Sequence, residues 1–355
     1  MTRFHHLIFV LCLFLGACGG GGGGGSGSSD AVVPGPTPTP TPGPTSTALP
    51  SAVALHSTLD SFSQSEITFT VTAHVADGNS NTVSNLTAVN VKPSSSVKDG
   101  SNPSITFSQN LVSVGCSSSA SKGPYSAMMV LDRSGSMASN DASNVVLTAA
   151  NTFATSLATG ENMSVMAFPE ESSANRPFRC TVYGSGFDAN SPAWVATINS
   201  LATPGGNTPL YDCASNAINY TSTNATNSNR AILLFTDGED TASTETPDTV
   251  IGSAQSAGIP IYALALASAN KLELGRMAQA TGGGLMVASD VRQLITAYGT
   301  LGGVLSGSRA TCQISMRVNI NGASYVQSGY SNVPVTLEVD GVPIQIMANL
   351  PVSWQ

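Results

Sequence analysis

Met128-Met129-Val130-Leu131-Asp132-Arg133-Ser134-Gly135-Ser136-Met137 decides how the chain reads. A run of apolar residues ends on an acid, and two hydroxyls follow at two-residue spacing. Val130-Leu131-Asp132 has the character of the carboxyl end of a buried strand, and residues 133–137 that of a loop turning toward a helix. Such a loop can aim one carboxylate and two hydroxyl oxygens at a common point. Hard cations such as Mg2+ take oxygen ligands in near-octahedral geometry and keep some water. Taken alone, the same three residues also suit a polar turn that caps a helix. The surrounding chain has to choose between the two.

Outward from this stretch, strand and helix patterns alternate. Residues 127–132 form the first strand. Residues 144–157 place Val145, Val146, Ala149, Ala150, Phe153 and Leu157 on one helical face. A second strand follows at 163–168. A polar excursion at 170–190 holds a short strand around 180–183. Ser191-Pro192 is a start signal for a helix over 194–201, and 210–220 reads as another. Residues 231–236, Ala-Ile-Leu-Leu-Phe-Thr, are the continuous apolar run expected of a central strand covered on both faces. Then come a helix over 247–257 closed by Gly258, a strand at 259–266 and a helix over 271–280 closed by Gly282. A short strand at 285–288 and a last helix from Asp290 complete the series. This alternation predicts an α/β domain over about residues 123–305, with a doubly wound, mostly parallel sheet.

β patterns flank that domain on both sides. Residues 67–75 alternate apolar and polar, with His74 on the polar phase and therefore expected on a solvated face without a role. Asp77-Gly78-Asn79 is a turn signal, and 83, 86–91 and 105–107 continue the β character. After Arg309, residues 313–320 alternate strictly, and an Asp340-Gly341 turn joins 334–339 to 343–347 as a hairpin. Residues 52–117 are thus the first part of a β-rich domain and 310–355 a segment that can complete it. The economical architecture is an α/β domain inserted into one β-sandwich; two separate small β units are the alternative.

The first residues carry a targeting signal. Arg3 supplies a positive charge, and residues 7–15 are apolar but too short to span a bilayer. The segment ends Leu15-Gly16-Ala17-Cys18, which resembles a bacterial lipobox: residues 1–17 would be cut away and Cys18 lipidated. Glycines 19–25 and the Pro/Thr-rich 34–50 form a tether, the first part flexible and the second extended. The tether covers residues 18–51. The expected location is the cell envelope, lipid-anchored, with Gly19 after the lipidated Cys leaning toward an outer membrane. Export places the remaining cysteines, Cys116, Cys180, Cys213 and Cys312, in an oxidising compartment and suggests two disulfides. The termini of a compact insert lie close together. That favours Cys116 with Cys312 at the junction, leaving Cys180 with Cys213 inside the α/β domain. The chain carries 13 basic and 21 acidic residues without a basic run in the folded part, which argues against a nucleic-acid partner.

Open α/β sheets bind ligands at the carboxyl ends of their strands. Three loops fall there. One holds Asp132, Ser134 and Ser136. Another is Gly205-Gly206-Asn207-Thr208-Pro209-Leu210. The last is Thr236-Asp237-Gly238, after the most apolar strand. Alone, the second is an ordinary helix start and the third a plain turn. In this order and fold the three resemble the metal-ion-dependent adhesion site of the von Willebrand factor type A (VWA) domain, a likeness that covers about residues 123–305. The resemblance implies a site for Mg2+ or Mn2+, with Ca2+ less suited. Ser134 and Ser136 would ligate through their hydroxyls and Thr208 directly or through water. Asp132 and Asp237 would hold coordinated waters and hydroxyls. Glu239 and Asp240 follow closely and are expected to be exposed.

The functional expectation is a binding module, not an enzyme. Neutral hydroxyls leave much of the charge of a divalent ion uncancelled, so an Asp or Glu of a protein ligand can complete its shell. The alternative is an envelope assembly scaffold in which the metal is only structural. After cleavage of the signal the only histidines are His56 and His74, both outside the α/β domain. No Ser/His/Asp set and no P-loop is evident.

Overall fold

In the computed structural model the described residues are 47–99, 102–118, 120–170, 179–201, 205–266 and 268–355. The signal segment, Cys18 and the tether as far as residue 46 lie outside them. Two long antiparallel strands open the described chain, β1 (Ser51–Phe62) and β2 (Glu66–Ala76). A two-residue β3 (Val97–Lys98) and β4 (Thr106–Ser118) follow. The α/β part then runs β5 (Tyr125–Asp132), α1 (Met137–Asn140), α2 (Val145–Thr155), β6 (Asn162–Glu170), β7 (Arg179–Asp188), α3 (Ser191–Asn199) and α4 (Leu210–Asn224). It continues through β8 (Asn229–Thr236), α5 (Pro247–Ala257), β9 (Ile261–Leu266), α6 (Lys271–Thr281), β10 (Gly284–Ala288) and α7 (Gln293–Leu305). The chain closes on β11 (Ala310–Asn321), β12 (Tyr325–Val326), β13 (Ser331–Val339), β14 (Val342–Leu350) and β15 (Ser353–Trp354).

The sheet order is β3-β4-β11-β2-β1-β10-β9-β8-β5-β6-β7. From β10 to β6 all neighbours are parallel, and β7 adds an antiparallel edge. The fold is thus mixed α/β, with a doubly wound, mostly parallel centre extended by antiparallel strands. β1 sits between β10 and β2, so both strand sets belong to one hydrogen-bonded sheet. β1 runs against β10, and the described chain therefore enters at the carboxyl edge of the parallel strands. The main-chain N–H of Leu49 donates to Arg292 O beside that edge.

Alternation along β5 shows why it is apolar at every position. Tyr125, Ala127, Met129 and Leu131 face a layer built from α2, α3 and α7. Met128 and Val130 face a layer built from α4, α5 and α6. A strand buried on both faces has no use for a polar alternate until its end, where Asp132 comes. The crossover from β5 to β6 uses α2 on one face, and that from β8 to β9 uses α5 on the other. The two helix layers part between β5 and β8, which leaves a crevice at the carboxyl ends of those strands.

A second apolar cluster joins β2, β11, β13 and β14, including Phe69, Ile314, Val335 and Ile346. The β13–β14 hairpin turns through Asp340 and Gly341, both with positive φ (51° and 74°), as a two-residue hairpin turn requires. Disulfides join Cys116 to Cys312 and Cys180 to Cys213. The first links residues directly opposite in the β4–β11 register, and the second ties β7 to α4.

Two expectations from the pattern fail. Residues 86–91 form no strand; they loop over the hairpin, held by an isolated bridge from Val91 to Leu337 and by a bond from Asn90 Nδ2 to Glu338 O at 3.2 Å. His74 is not on a solvated face: it is 1% exposed. The last four residues of β2 are all buried because α7 packs over that end of the strand as well as the sandwich core. The two-residue period breaks where a strand becomes covered on both sides.

Candidate metal site

Asp132, the last residue of β5, has no solvent exposure. Its Oδ1 accepts from the main-chain N–H of Ser134 at 2.8 Å, and its Oδ2 accepts from Thr236 Oγ1 at 2.7 Å. The first bond curls the loop back over the strand end in the manner of an Asx turn. The second fastens β5 to the end of β8. Burial pushes the Asp132 carboxyl up to about 6, against the stabilising bonds from Ser134 and Thr236, and the nearby Asp237 adds to the rise. A buried carboxylate of this kind is short of positive charge.

Four of the five residues named from sequence form a continuous hydrogen-bonded set. Asp132 holds the Ser134 backbone, Ser134 Oγ lies 3.1 Å from Ser136 Oγ, and Ser136 Oγ donates to Asp237 Oδ1 at 2.8 Å. Asp237 is itself fully buried. The loop of the fifth residue, Thr208, is brought alongside by backbone bonds. Gly135 N–H donates to Gly206 O at 3.0 Å, and Gly205 N–H donates to Arg133 O at 2.9 Å. Thr208 is 5% exposed, and its N–H donates to Thr241 Oγ1 at 2.9 Å. Gly206 has φ 75°, and a Cβ there would meet Pro169 at 2.9 Å, so both the turn and the close approach need glycine.

The sequence did not reveal several supporting residues. Asn140 Nδ2 donates to Asp237 Oδ2 at 2.8 Å, which leaves Asp237 held by two side chains from the first loop and its helix. The Ser268 hydroxyl donates to the carbonyl of Asp237. Thr236 was visible beside Asp237, but its role as the clamp on Asp132 needs the β5–β8 pairing to be known. Asp240 is half-buried rather than exposed. Its Oδ1 accepts from Leu210 N–H at 2.8 Å and also from the Ser243 hydroxyl, so it caps the N-terminus of α4 from another loop. Pro209, the residue at the cap position itself, has no side-chain acceptor to offer. Glu239 is exposed.

These donors fit a small hard cation. All are oxygens, and two carboxylates among hydroxyls suit an ion that retains water. An octahedral ion with bonds of 2.0–2.1 Å sets neighbouring ligand oxygens about 2.9 Å apart. The separations of Ser134 Oγ from Ser136 Oγ and of Ser136 Oγ from Asp237 Oδ1, 3.1 and 2.8 Å, bracket that value.

Residues 128–299 match the family model of the von Willebrand factor type A domain. Among solved structures it is similar to a von Willebrand factor type A protein from Catenulispora acidiphila. The two are 14% identical, with 86% of this chain and 74% of that one covered and a TM-score of 0.43. The ArnB paralog VWA2 from Sulfolobus acidocaldarius is 15% identical, with 86% and 75% covered and a TM-score of 0.41. Proximal thread matrix protein 1 from the mussel byssus, solved with a zinc-occupied MIDAS motif, is 14% identical, with 56% and 49% covered and a TM-score of 0.40. The chain spans about half the length of that mussel protein. No curated protein matches the chain.

Proposed function

We propose that the protein binds a protein ligand through a divalent cation, Mg2+ or Mn2+, held by Asp132, Ser134, Ser136, Thr208 and Asp237. The observation that carries this reading is the hydrogen-bonded convergence of two buried carboxylates and two serine hydroxyls at the crevice between β5 and β8. When bound, the ion supplies a positive charge only partly neutralised by the protein, available to a carboxylate from outside. Asp132 and Asp237 fix the hydroxyls. Ser134 and Ser136 present neutral oxygens, so little ligand charge repels an incoming Asp or Glu. No group in the set is placed as a nucleophile or base, and the activity is binding, not turnover.

The setting we propose is the cell envelope. Cys18, lipid-modified after removal of residues 1–17, would anchor the chain in the outer membrane, and the Gly/Pro/Thr-rich tether would give the folded part reach. The test is adhesion of the full chain to envelope and surface-protein fractions, with and without EDTA, and in Asp132→Ala. The expected result is loss of capture in EDTA and in the variant, with recovery on adding Mg2+ to the wild type. Capture that is equal in all arms sinks the proposal and favours a scaffold role.

A further inference from the structure

A second site lies at the opposite pole from the cation site, where the chain crosses into and out of the α/β part. There a cavity of about 300 Å3 is lined by three basic side chains, His56, Lys122 and Arg309, and by no Asp or Glu. In an acidic chain with only 13 Lys and Arg this gathering is notable. Among the described residues neither Lys122 nor Arg309 stands in an ion pair. The polar bond of the Arg309 side chain is to a neutral group, Thr82 Oγ1, at 3.3 Å. Glu161 lines a neighbouring cavity with Arg309 but makes no ion pair with it among the described residues.

His56 is held as a donor. Gln279 accepts from Ser57 N–H at 3.0 Å and donates to Ser57 O at 2.8 Å, which fixes the orientation of its amide. Its Nε2 thus donates to His56 Nδ1 at 3.1 Å, and the neutral ring carries its proton on Nε2. The walls are firm. A Cβ on Gly283 would come within 1.9 Å of Ile261 O, so the backbone itself forms that side. Leu55, Tyr262 and Val304 supply apolar surface. The volume matches the lower end of the range for small-molecule sites, which favour such junctions between substructures.

We infer that this cavity binds a small organic oxyanion, a carboxylate or phosphate ester on a compact apolar body, with its charge between Lys122 and Arg309. Lys122 precedes β5 and Arg309 follows α7, and Lys122 N–H already donates to Ser306 O at 2.7 Å. A bound anion would tie the two crossings together a second time. The inference is independent of the cation site.

Calorimetric titration of the full chain in EDTA with benzoate and with phenyl phosphate tests it. The expected result is saturable binding of at least one of them, one per chain, weakened about tenfold in Arg309→Gln and in Lys122→Gln, as removal of a charge-assisted bond implies. Lys122 is exposed and its side chain makes no hydrogen bond in the described structure, so Lys122→Gln keeps the fold even if Arg309→Gln does not. Three results overturn the inference. These are no saturable binding of either anion, equal affinity in wild type and Lys122→Gln, or binding of phosphatidylglycerol vesicles with neither soluble anion bound.

Discussion

His74 and Asp132 are both buried ionisable groups, and their surroundings give them opposite needs. Asp132 sits among donors, accepting from Ser134 N–H and Thr236 Oγ1. His74 can hold no second proton: its Nδ1 donates to Ala310 O at 3.1 Å, and its Nε2 is buried without a hydrogen-bond partner. Burial lowers the pKa of His74, opposed by the bond to Ala310, while Arg309 lowers it further. A base whose folded pKa lies below its ordinary 6.5 favours folding in its neutral form. Its contribution is present above pH 6.5 and is lost as pH falls through the window beneath it. Denaturant unfolding of wild type is expected to show this loss, and His74→Gln to flatten it. An unchanged slope in the variant would assign the effect to another group. The same residue shows where sequence reading stops. Alternation located the strand and the phase of His74 correctly, yet exposure depends on α7, which is more than two hundred residues away in sequence and covers that end of β2.

Elements carry the next set of constraints. α4 begins at Leu210 with a proline at the cap position, and Asp240 supplies the missing acceptor from the loop after β8. Asp240→Ala is expected to cost about 1 kcal/mol of stability, the usual loss for a helix cap. It should also weaken cation binding, because Thr208 lies two residues before the helix; denaturation and Mg2+ titration of one variant measure both. The two disulfides differ in the chain they enclose. Cys116–Cys312 spans 196 residues and Cys180–Cys213 spans 33. Chain entropy gives about 5 kcal/mol for the longer loop and about 4 kcal/mol for the shorter. Paired Cys→Ala variants, compared by denaturant midpoint under oxidising conditions, should show the larger loss for Cys116 and Cys312. Elements were the most legible level of the sequence. The helix over Pro247–Ala257 is bounded by its proline start and by Gly258 in the left-handed conformation, both local signals. The loop over 86–91 carries strand-favouring residues, but it is pinned to the hairpin by one bridge and not by a ladder. Asp132, Ser134, Ser136 and Asp237 were legible as a group because strand ends are. Asn140, Ser268 and Asp240 act across loops, and no local spacing marks them.

For the molecule as a whole, a cation held by three loops is a cross-link. At the proposed site it would join the ends of β5 and β8 and the start of α4, and it would bind the folded state alone. Linkage gives about 2.7 kcal/mol of added stability at a hundredfold excess over the dissociation constant. Thermal unfolding should therefore move upward in Mg2+ and return in EDTA, and Asp237→Ala should remove the difference. An identical midpoint with and without Mg2+ in the wild type would show that the oxygens do not hold it.

The place where the described chain enters also matters. β1 is interior to the sheet, paired with β2 from Ser51 opposite Ala76 to Phe62 opposite Ile67, and it starts at the edge that carries Asp132 and Asp237. Residue 47 and the site share that edge, so a tensile load between residue 47 and a captured ligand runs across the strands and not along β1. It falls on the seam between β1 and β10, where the register pairs Ala54 with Leu285. Under tension that seam, and not the long β1–β2 ladder, carries the force.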